Sequence, residues 1–380
     1  MRFLYVFLVV IFLGCKNNSS ENILEIESIS TEKPEYANGF YVTHFSNYSE
    51  LTINSPWPES DKVYKYAMVN RKIAASITFP NDRYDAIITT PIDKLIVTST
   101  THLPALDYLN ETNSLVGFPE LNYISNPQIR ERISGGLIQE IGKNESLNTE
   151  KILNISPELV MGFSIDGTSK TFETIKNAGI PVLFNGDWTE KSPLGKAEWI
   201  KVFGLLFEKK QKSDSIFNSI EKQYNEAKSL ASKAEHSPTA ISGALYQDIW
   251  YLPYGTSPEG QLMNDANINY LWSDTKGSGS LGLSFETVLE KGENAELWLN
   301  PSNLISKTNL LKSNTHYSQF AAFKTDNIYT MGKTVGETGG VLYYELGIAR
   351  PDLVLKDLIK IGHPELLPDY KFTFFQKLPN

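Results

Sequence analysis

Apolar and polar positions follow two rhythms along the chain. From residue 23 to about residue 88 the apolar residues come in short runs separated by turn residues: Gly39-Phe40-Tyr41-Val42-Thr43, Leu51-Thr52-Ile53, and a stretch over 62–69 that alternates as a half-buried strand does. Trp57 stands between Pro56 and Pro58, a rigid turn holding an aromatic ring. This region predicts a small antiparallel preface. Beyond it, apolar runs of strand length alternate with segments of helical period. The pattern predicts strands over 94–98, 115–118, 159–163 and 181–184, with helices over 103–109, 150–154 and 168–177 between them. The same order returns after residue 238, with strands over 240–246, 296–299 and 327–331 and helices over 257–267, 286–290 and 353–361. Strands separated by helices imply mostly parallel sheets covered on both faces.

Between the two series no proline interrupts the stretch from Pro193 to Pro238. Trp199, Val202, Phe203, Leu206, Phe217, Ile220, Tyr224, Ala227 and Leu230 recur at steps of three and four, with Lys209, Lys210, Lys212, Glu221, Lys222 and Glu226 on the other face. Helical throughout, it would run for roughly 60 Å. Two helices broken near Gly204 or around 212–214 are the alternative. The expected fold is α/β: two Rossmann-like lobes with mostly parallel sheets, joined by one long α-helix and preceded by a short β-rich preface. The expected boundaries are a leader over 1–14, a tether over 15–22, a first lobe over 23–190, the linker helix over 191–237 and a second lobe over 238–380. Ligands of open α/β sheets bind outside the carboxyl ends of the strands, so the cleft between the lobes is the expected site. Tyr123, Trp188, Trp250, Tyr251 and Tyr254 fall in the loops that would wall it, and Arg130, Arg132 and His102 lie close to such loops in sequence.

Composition narrows the class. With 41% hydrophobic and 21% charged residues the chain is globular, and its net charge of -9 argues against a general nucleic-acid binder. Arg2 followed by an apolar run over 3–13 reads as a signal peptide, too short to span a membrane. The run ends at Leu13-Gly14-Cys15, and Cys15 is the only cysteine. No disulfide is therefore available, and burial alone must stabilise the mature chain.

The candidate chemistries are few. Gly277-Ser278-Gly279-Ser280-Leu281-Gly282 fits G-x-G-x-x-G but follows no hydrophobic strand, and Gly332-Lys333-Thr334 lacks the first glycine of a phosphate loop, since Asn327 stands in its place. The five histidines, His44, His102, His236, His316 and His363, show no metal spacing, and no G-x-S-x-G elbow is present. The residues assemble neither an acid/base pair nor an activated nucleophile, so no enzymatic activity, cofactor or metal is expected. A hydrolase on the same scaffold, using Asp187 or His102, is the alternative; a lipoprotein that only binds another protein is a third.

Three sets of residues carry a resemblance. Leu13-Gly14-Cys15 resembles a bacterial lipobox, in which the cysteine is acylated. Asn148-Thr149-Glu150-Lys151-Ile152-Leu153 precedes one predicted strand and Ser284-Phe285-Glu286-Thr287-Val288-Leu289 another, one in each lobe. With a long helix between them, these resemble the class III substrate-binding proteins of ABC importers, which deliver ferric siderophores, haem and cobalamin. The stretches Asn122-Tyr123-Ile124-Ser125-Asn126-Pro127, Ser192-Pro193-Leu194-Gly195-Lys196-Ala197-Glu198-Trp199 and His363-Pro364-Glu365-Leu366-Leu367-Pro368-Asp369-Tyr370 look like a Bacteroidota-type branch of that family. The resemblance implies a monomer anchored by lipid at Cys15 outside the cytoplasm, binding a metal chelate against the aromatic residues above. Arg130 or Arg132 would meet the carboxylates of the chelate. It implies that Glu150 and Glu286 dock onto arginines of a permease homodimer served by its ATPase. Where cobalamin binders place aromatic residues, six positions before each glutamate, this chain has Asn144 and Ser280.

Overall fold

The computed structural model describes residues 28–80, 82–163, 170–277, 279–301 and 305–380. The predicted leader, the tether and Cys15 lie outside them. The preface strands β1 (Ser30–Glu32), β2 (Phe40–His44), β3 (Ser49–Asn54), β4 (Val63–Asn70) and β5 (Ala86–Thr90) pair in chain order, antiparallel up to β4 and parallel between β4 and β5. Their inward residues Leu51, Ile53, Tyr66, Met68 and Ile88 join the core of the first lobe. The preface is one wall of that lobe.

The first lobe continues with β6 (Leu95–Val97), α1 (Leu103–Leu109), β7 (Leu115–Phe118), α2 (Pro127–Ser134), β8 (Gln139–Glu140), the hairpin β9 (Gly142–Lys143) and β10 (Ser146–Leu147), α3 (Thr149–Ile155), β11 (Leu159–Gly162), α4 (Lys170–Asn177) and β12 (Val182–Phe184). Its sheet is parallel in the order β12-β11-β6-β7-β8. The three residues of β6 are fully buried, as the central strand of a sheet covered on both faces requires.

The stretch expected as one helix is three: α5 (Pro193–Glu198), α6 (Ile200–Leu206) and α7 (Lys210–Ala231). The cause is local. Glu208 takes a left-handed conformation (φ 54°), which turns α6 back against α7. Gly204 then lies on Ser213, where a Cβ would overlap the serine hydroxyl. The spine is α7 alone, 22 residues and about 33 Å long. Its Phe217 and Ile220 belong to the first core, and its Tyr224, Ala227 and Ala231 to the second. Two buried carboxylates tie the preface to this linker. Glu198 accepts the backbone N–H groups of Glu35, Tyr36 and Ala37 at 2.8–3.0 Å, and Glu190 accepts those of Asn38 and Gly39 and the indole N–H of Trp199.

The second lobe holds β13 (Thr239–Ser242), β14 (Ala244–Tyr246), β15 (Ile249–Pro253), α8 (Pro258–Asp265), β16 (Asn269–Tyr270), β17 (Ser280–Leu283), α9 (Phe285–Gly292), β18 (Leu297–Leu299), α10 (Lys307–Ser313), α11 (Ala321–Lys324), β19 (Ile328–Thr330), α12 (Pro351–Gly362) and β20 (Gln376–Lys377). The main sheet runs β16-β13-β18-β19-β20, parallel except for β20. The strand expected over 240–246 is split at Gly243 (φ 76°), where a Cβ would collide with the Tyr251 carbonyl. The chain leaves the parallel sheet there and forms a separate antiparallel sheet, β14-β15-β17.

Candidate ligand-binding site

A cavity of about 1350 Å³ opens between the lobes. On one side stand the preface turn over 55–61, residues 188–191 beyond β12, and Lys196 of α5. On the other stand the carboxyl ends of β13 and β18, at Ser242-Gly243 and Leu299-Asn300. Both β16 and β18 flank β13, so the chain reverses its direction of sheet growth there, the place where open α/β sheets take ligands. Tyr246 and Tyr251 of the antiparallel sheet, the first turn of α8, and Tyr343-Tyr344 complete the wall.

Of the aromatic residues expected at the cleft, Trp188 and Tyr251 line it. Trp188 packs on Phe163 with ring centroids 5.3 Å apart, and its indole N–H has no acceptor among the described residues. Tyr251 is 41% exposed. Its neighbour Trp250 is fully buried, because successive residues of a strand point to opposite faces. Trp250 stacks on Trp298 at 5.5 Å and donates its indole N–H to the Ser242 carbonyl at 2.8 Å. It is a core residue, and its expected contact with ligand is withdrawn. Tyr254 lays its ring over Gly277 and Tyr123 lies under Gly340, both outside the wall.

The expected cationic contacts are elsewhere too. Arg130 donates to the Leu121 carbonyl at 2.8 Å, and Arg132 to the side chain and carbonyl of Asn113 and the carbonyl of Leu115 at 2.9–3.1 Å. Both guanidinium groups hold backbone carbonyls before and after β7. The charged groups that do border the cavity are Glu59, Asp61, Glu190, Lys191, Lys196 and Glu259, with Lys196 and Glu259 paired at 3.7 Å.

His102 is fully buried beside Phe203, and neither ring nitrogen has a hydrogen-bond partner among the described residues. Burial lowers its pKa from 6.5 to about 3, so the ring is neutral. It is a core residue and leaves the list of ligand contacts. Asp187 is buried as well and accepts the Thr101 hydroxyl at 2.9 Å. Burial raises its pKa to about 6 against the lowering effect of that hydroxyl. No hydrogen bond joins Asp187 to His102, and the general-base pair a hydrolase needs is not formed. Gly282 of the rejected glycine motif sits in β17, and Ser278 lies outside the described residues. Among the described residues no group of three His, Cys, Asp or Glu is placed to hold a metal ion.

Glu150 and Glu286 occupy matching places. Asn148 caps α3 by accepting from Lys151 N at 2.9 Å, and Ser284 caps α9 by accepting from Thr287 N at 3.2 Å. Each glutamate is exposed in the first helical turn, and neither has an ion pair among the described residues.

Trp57, Tyr246, Tyr343 and Tyr344 also line the cavity, and the sequence pattern does not mark them as wall residues. Pro56-Trp57-Pro58 was visible as a rigid aromatic turn, but nothing in the pattern says that the preface reaches the cleft. Tyr343 and Tyr344 follow no strand directly, so the rule of strand ends does not find them.

The periplasmic binding protein family matches residues 95–335, nearly two thirds of the chain. An uncharacterized lipoprotein of Methanocaldococcus jannaschii is 25% identical over 308 residues, covering 77% of this chain and 70% of the relative. The haem-binding protein RhuT of Roseiflexus sp. RS-1 superposes with a TM-score of 0.54 at 19% identity, over 72% of this chain and 99% of that one. The molybdate-binding protein MolA of Haemophilus influenzae gives 0.56 at 18%, over 75% and 90%. The chain belongs to the periplasmic binding protein family. By that membership it is a periplasmic-type solute-binding protein.

Proposed function

We propose that the chain captures a metal chelate, in the first place a ferric siderophore, between its lobes and presents it to an ABC permease homodimer driven by its ATPase. The cavity carries this reading. At about 1350 Å³ it exceeds the roughly 300–1,000 Å³ of ordinary small-molecule sites, and Trp188, Tyr246, Tyr251 and Tyr344 offer aromatic faces to a large, partly apolar ligand. Haem and a corrinoid fit the same description, and relatives of this fold bind haem and molybdate. Glu150 and Glu286 dock the loaded monomer, one on each permease subunit. Cys15 carries the lipid anchor, in keeping with a relative that is itself a lipoprotein.

Two experiments test the two ends of this scheme. Titrating the purified protein with ferrichrome, haemin and cyanocobalamin, followed by tryptophan fluorescence, is expected to show saturable quenching by one of the three. No saturable response to any of them contradicts the ligand class. Replacing Cys15 with serine is expected to move the protein from the membrane fraction to the soluble fraction. Continued attachment rules out the anchor.

A further inference from the structure

Between β19 and α12 the second lobe sends a finger to the first. Residues 334–342 double back on themselves: Leu342 N donates to the Thr334 carbonyl at 2.9 Å, Gly336 N to the Gly340 carbonyl at 2.8 Å, and Val335 bridges Val341. The tip, Gly336-Glu337-Thr338-Gly339-Gly340, lies on the first lobe's loop over 121–126. Thr338 Oγ1 donates to the Asn122 carbonyl at 2.7 Å, and Ser125 Oγ donates to the Gly340 carbonyl at 3.2 Å. A Cβ at Gly340 would run into the Tyr123 carbonyl, so this close approach needs glycine.

The finger leads directly into a five-residue π-helix, Tyr343–Gly347, a form that recurs at functional sites. Tyr343 and Tyr344 line the cavity. The next residue, Glu345, is 4% exposed and accepts Ser125 N at 2.5 Å, while Thr100 Oγ1 donates to the Tyr344 carbonyl at 3.0 Å. The surface that receives these bonds is itself held. Asn126 caps α2 through Ile129 N and donates to Asp107 of α1 at 3.0 Å, and Arg130 grips Leu121. Two wall tyrosines that belong to the second lobe by sequence are thus fixed by bonds to the first. A buried carboxylate that accepts a backbone N–H is a strong, directional link, and breaking it leaves a buried donor unpaired.

We propose that residues 334–345 are an interlobe latch, with Glu345 as the positioning residue that fixes the spacing of the lobes and holds the Tyr343-Tyr344 wall. The latch rests on the proposed function only in taking that wall as a ligand surface. It adds to the ties made by α7 and by the Gln261 side chain on the Lys191 carbonyl, and limits the rocking that the helix would otherwise permit.

The test uses the ligand-free full chain with Cys15→Ser, carrying spin labels at Lys143→Cys and Glu290→Cys, exposed positions in the two lobes. The parent protein is expected to give one narrow distance distribution. Glu345→Ala, which removes the acceptor of Ser125 N, and Thr338→Val are expected to broaden it or move it by several ångströms and to speed amide exchange across 343–347. Thr338→Ser, which keeps the hydroxyl, is expected to restore both. Thr338 is exposed, so its variants test the latch even where Glu345→Ala fails to fold. A folded Thr338→Val protein with the parent distribution and parent exchange overturns the proposal. Because no ligand is present, that result is separate from a failed titration, which strikes the ligand class and leaves the latch standing.

Discussion

Reversing both exposed glutamates, as Glu150→Lys with Glu286→Lys, is expected to abolish uptake while leaving ligand affinity unchanged. The two side chains stand in the first turns of α3 and α9, one in each lobe, with their carboxylates directed to solvent and unpaired among the described residues. Each helix is already capped by Asn148 or Ser284, so neither glutamate is needed to satisfy its own helix end. A charge-assisted bond to a guanidinium contributes about 1.5–3 kcal/mol. Two lost contacts therefore weaken docking by roughly 10²- to 10⁴-fold, before the repulsion between lysine and arginine is added. Neither residue lines the cavity. Uptake by cells and affinity of the isolated protein, measured on the same variant, separate the roles. A variant that loses affinity in step with uptake contradicts docking.

The second large effect is on stability in acid. His102 is fully buried without a partner among the described residues, and burial lowers its pKa from 6.5 to about 3. Above pH 6.5 the ring is neutral in both the folded and the unfolded chain and adds no pH dependence. As pH falls below 6.5 the unfolded chain takes up a proton that the folded chain refuses. The folded state then loses about 1.4 kcal/mol per pH unit, for a total of about 5 kcal/mol by pH 3. That is comparable with the whole stability of many domains. Asp187 acts in the opposite sense. Its pKa is raised from 3.8 to about 6, so the folded chain gains a proton first, and stability rises as pH falls through that interval. The two effects partly cancel between pH 6 and 4, which is why the wild-type curve alone does not isolate either. Urea unfolding of the wild type and of His102→Leu at pH 7.5, 6 and 5 does so. Relative to pH 7.5, the variant is expected to gain about 2 kcal/mol on the wild type by pH 5. Parallel curves would show that the ring is protonated in the folded state.

The lobes were legible in the sequence because buried parallel strands leave short apolar runs such as Leu95-Ile96-Val97 and Leu297-Trp298-Leu299, each followed by a helical period. The long helix was not, for a physical reason. The face formed by Phe203, Leu206 and Phe217 is periodic across a reversal, since α6 and α7 pack on the same core, and one left-handed residue, Glu208, changes the direction without disturbing the pattern. At the site, Trp188 and Tyr251 were found because they follow strand ends or face outward from a strand. Trp250 was misread because a period of two puts it on the face opposite Tyr251, and aromatic content alone does not say which face is the core. Arg130 and Arg132 were misread because a guanidinium near a cleft loop serves equally well to hold carbonyls such as Leu121 and Leu115. The contribution of the preface turn and of Tyr343-Tyr344 depends on contacts between segments far apart in sequence, and no local pattern encodes those.

We propose the interlobe cavity as the ligand site. The most direct measurement is the fluorescence titration repeated on Tyr251→Ala and on Trp188→Phe, with whichever chelate quenches the parent protein. Each truncated aromatic contact is expected to cost about 1–2 kcal/mol. Affinity should accordingly fall by about 5- to 30-fold for Tyr251→Ala, with less loss for Trp188→Phe and a smaller quenching amplitude from the missing indole. Parent-like affinity in the Tyr251 variant, with parent-like quenching in the Trp188 variant, would place the ligand outside this cavity.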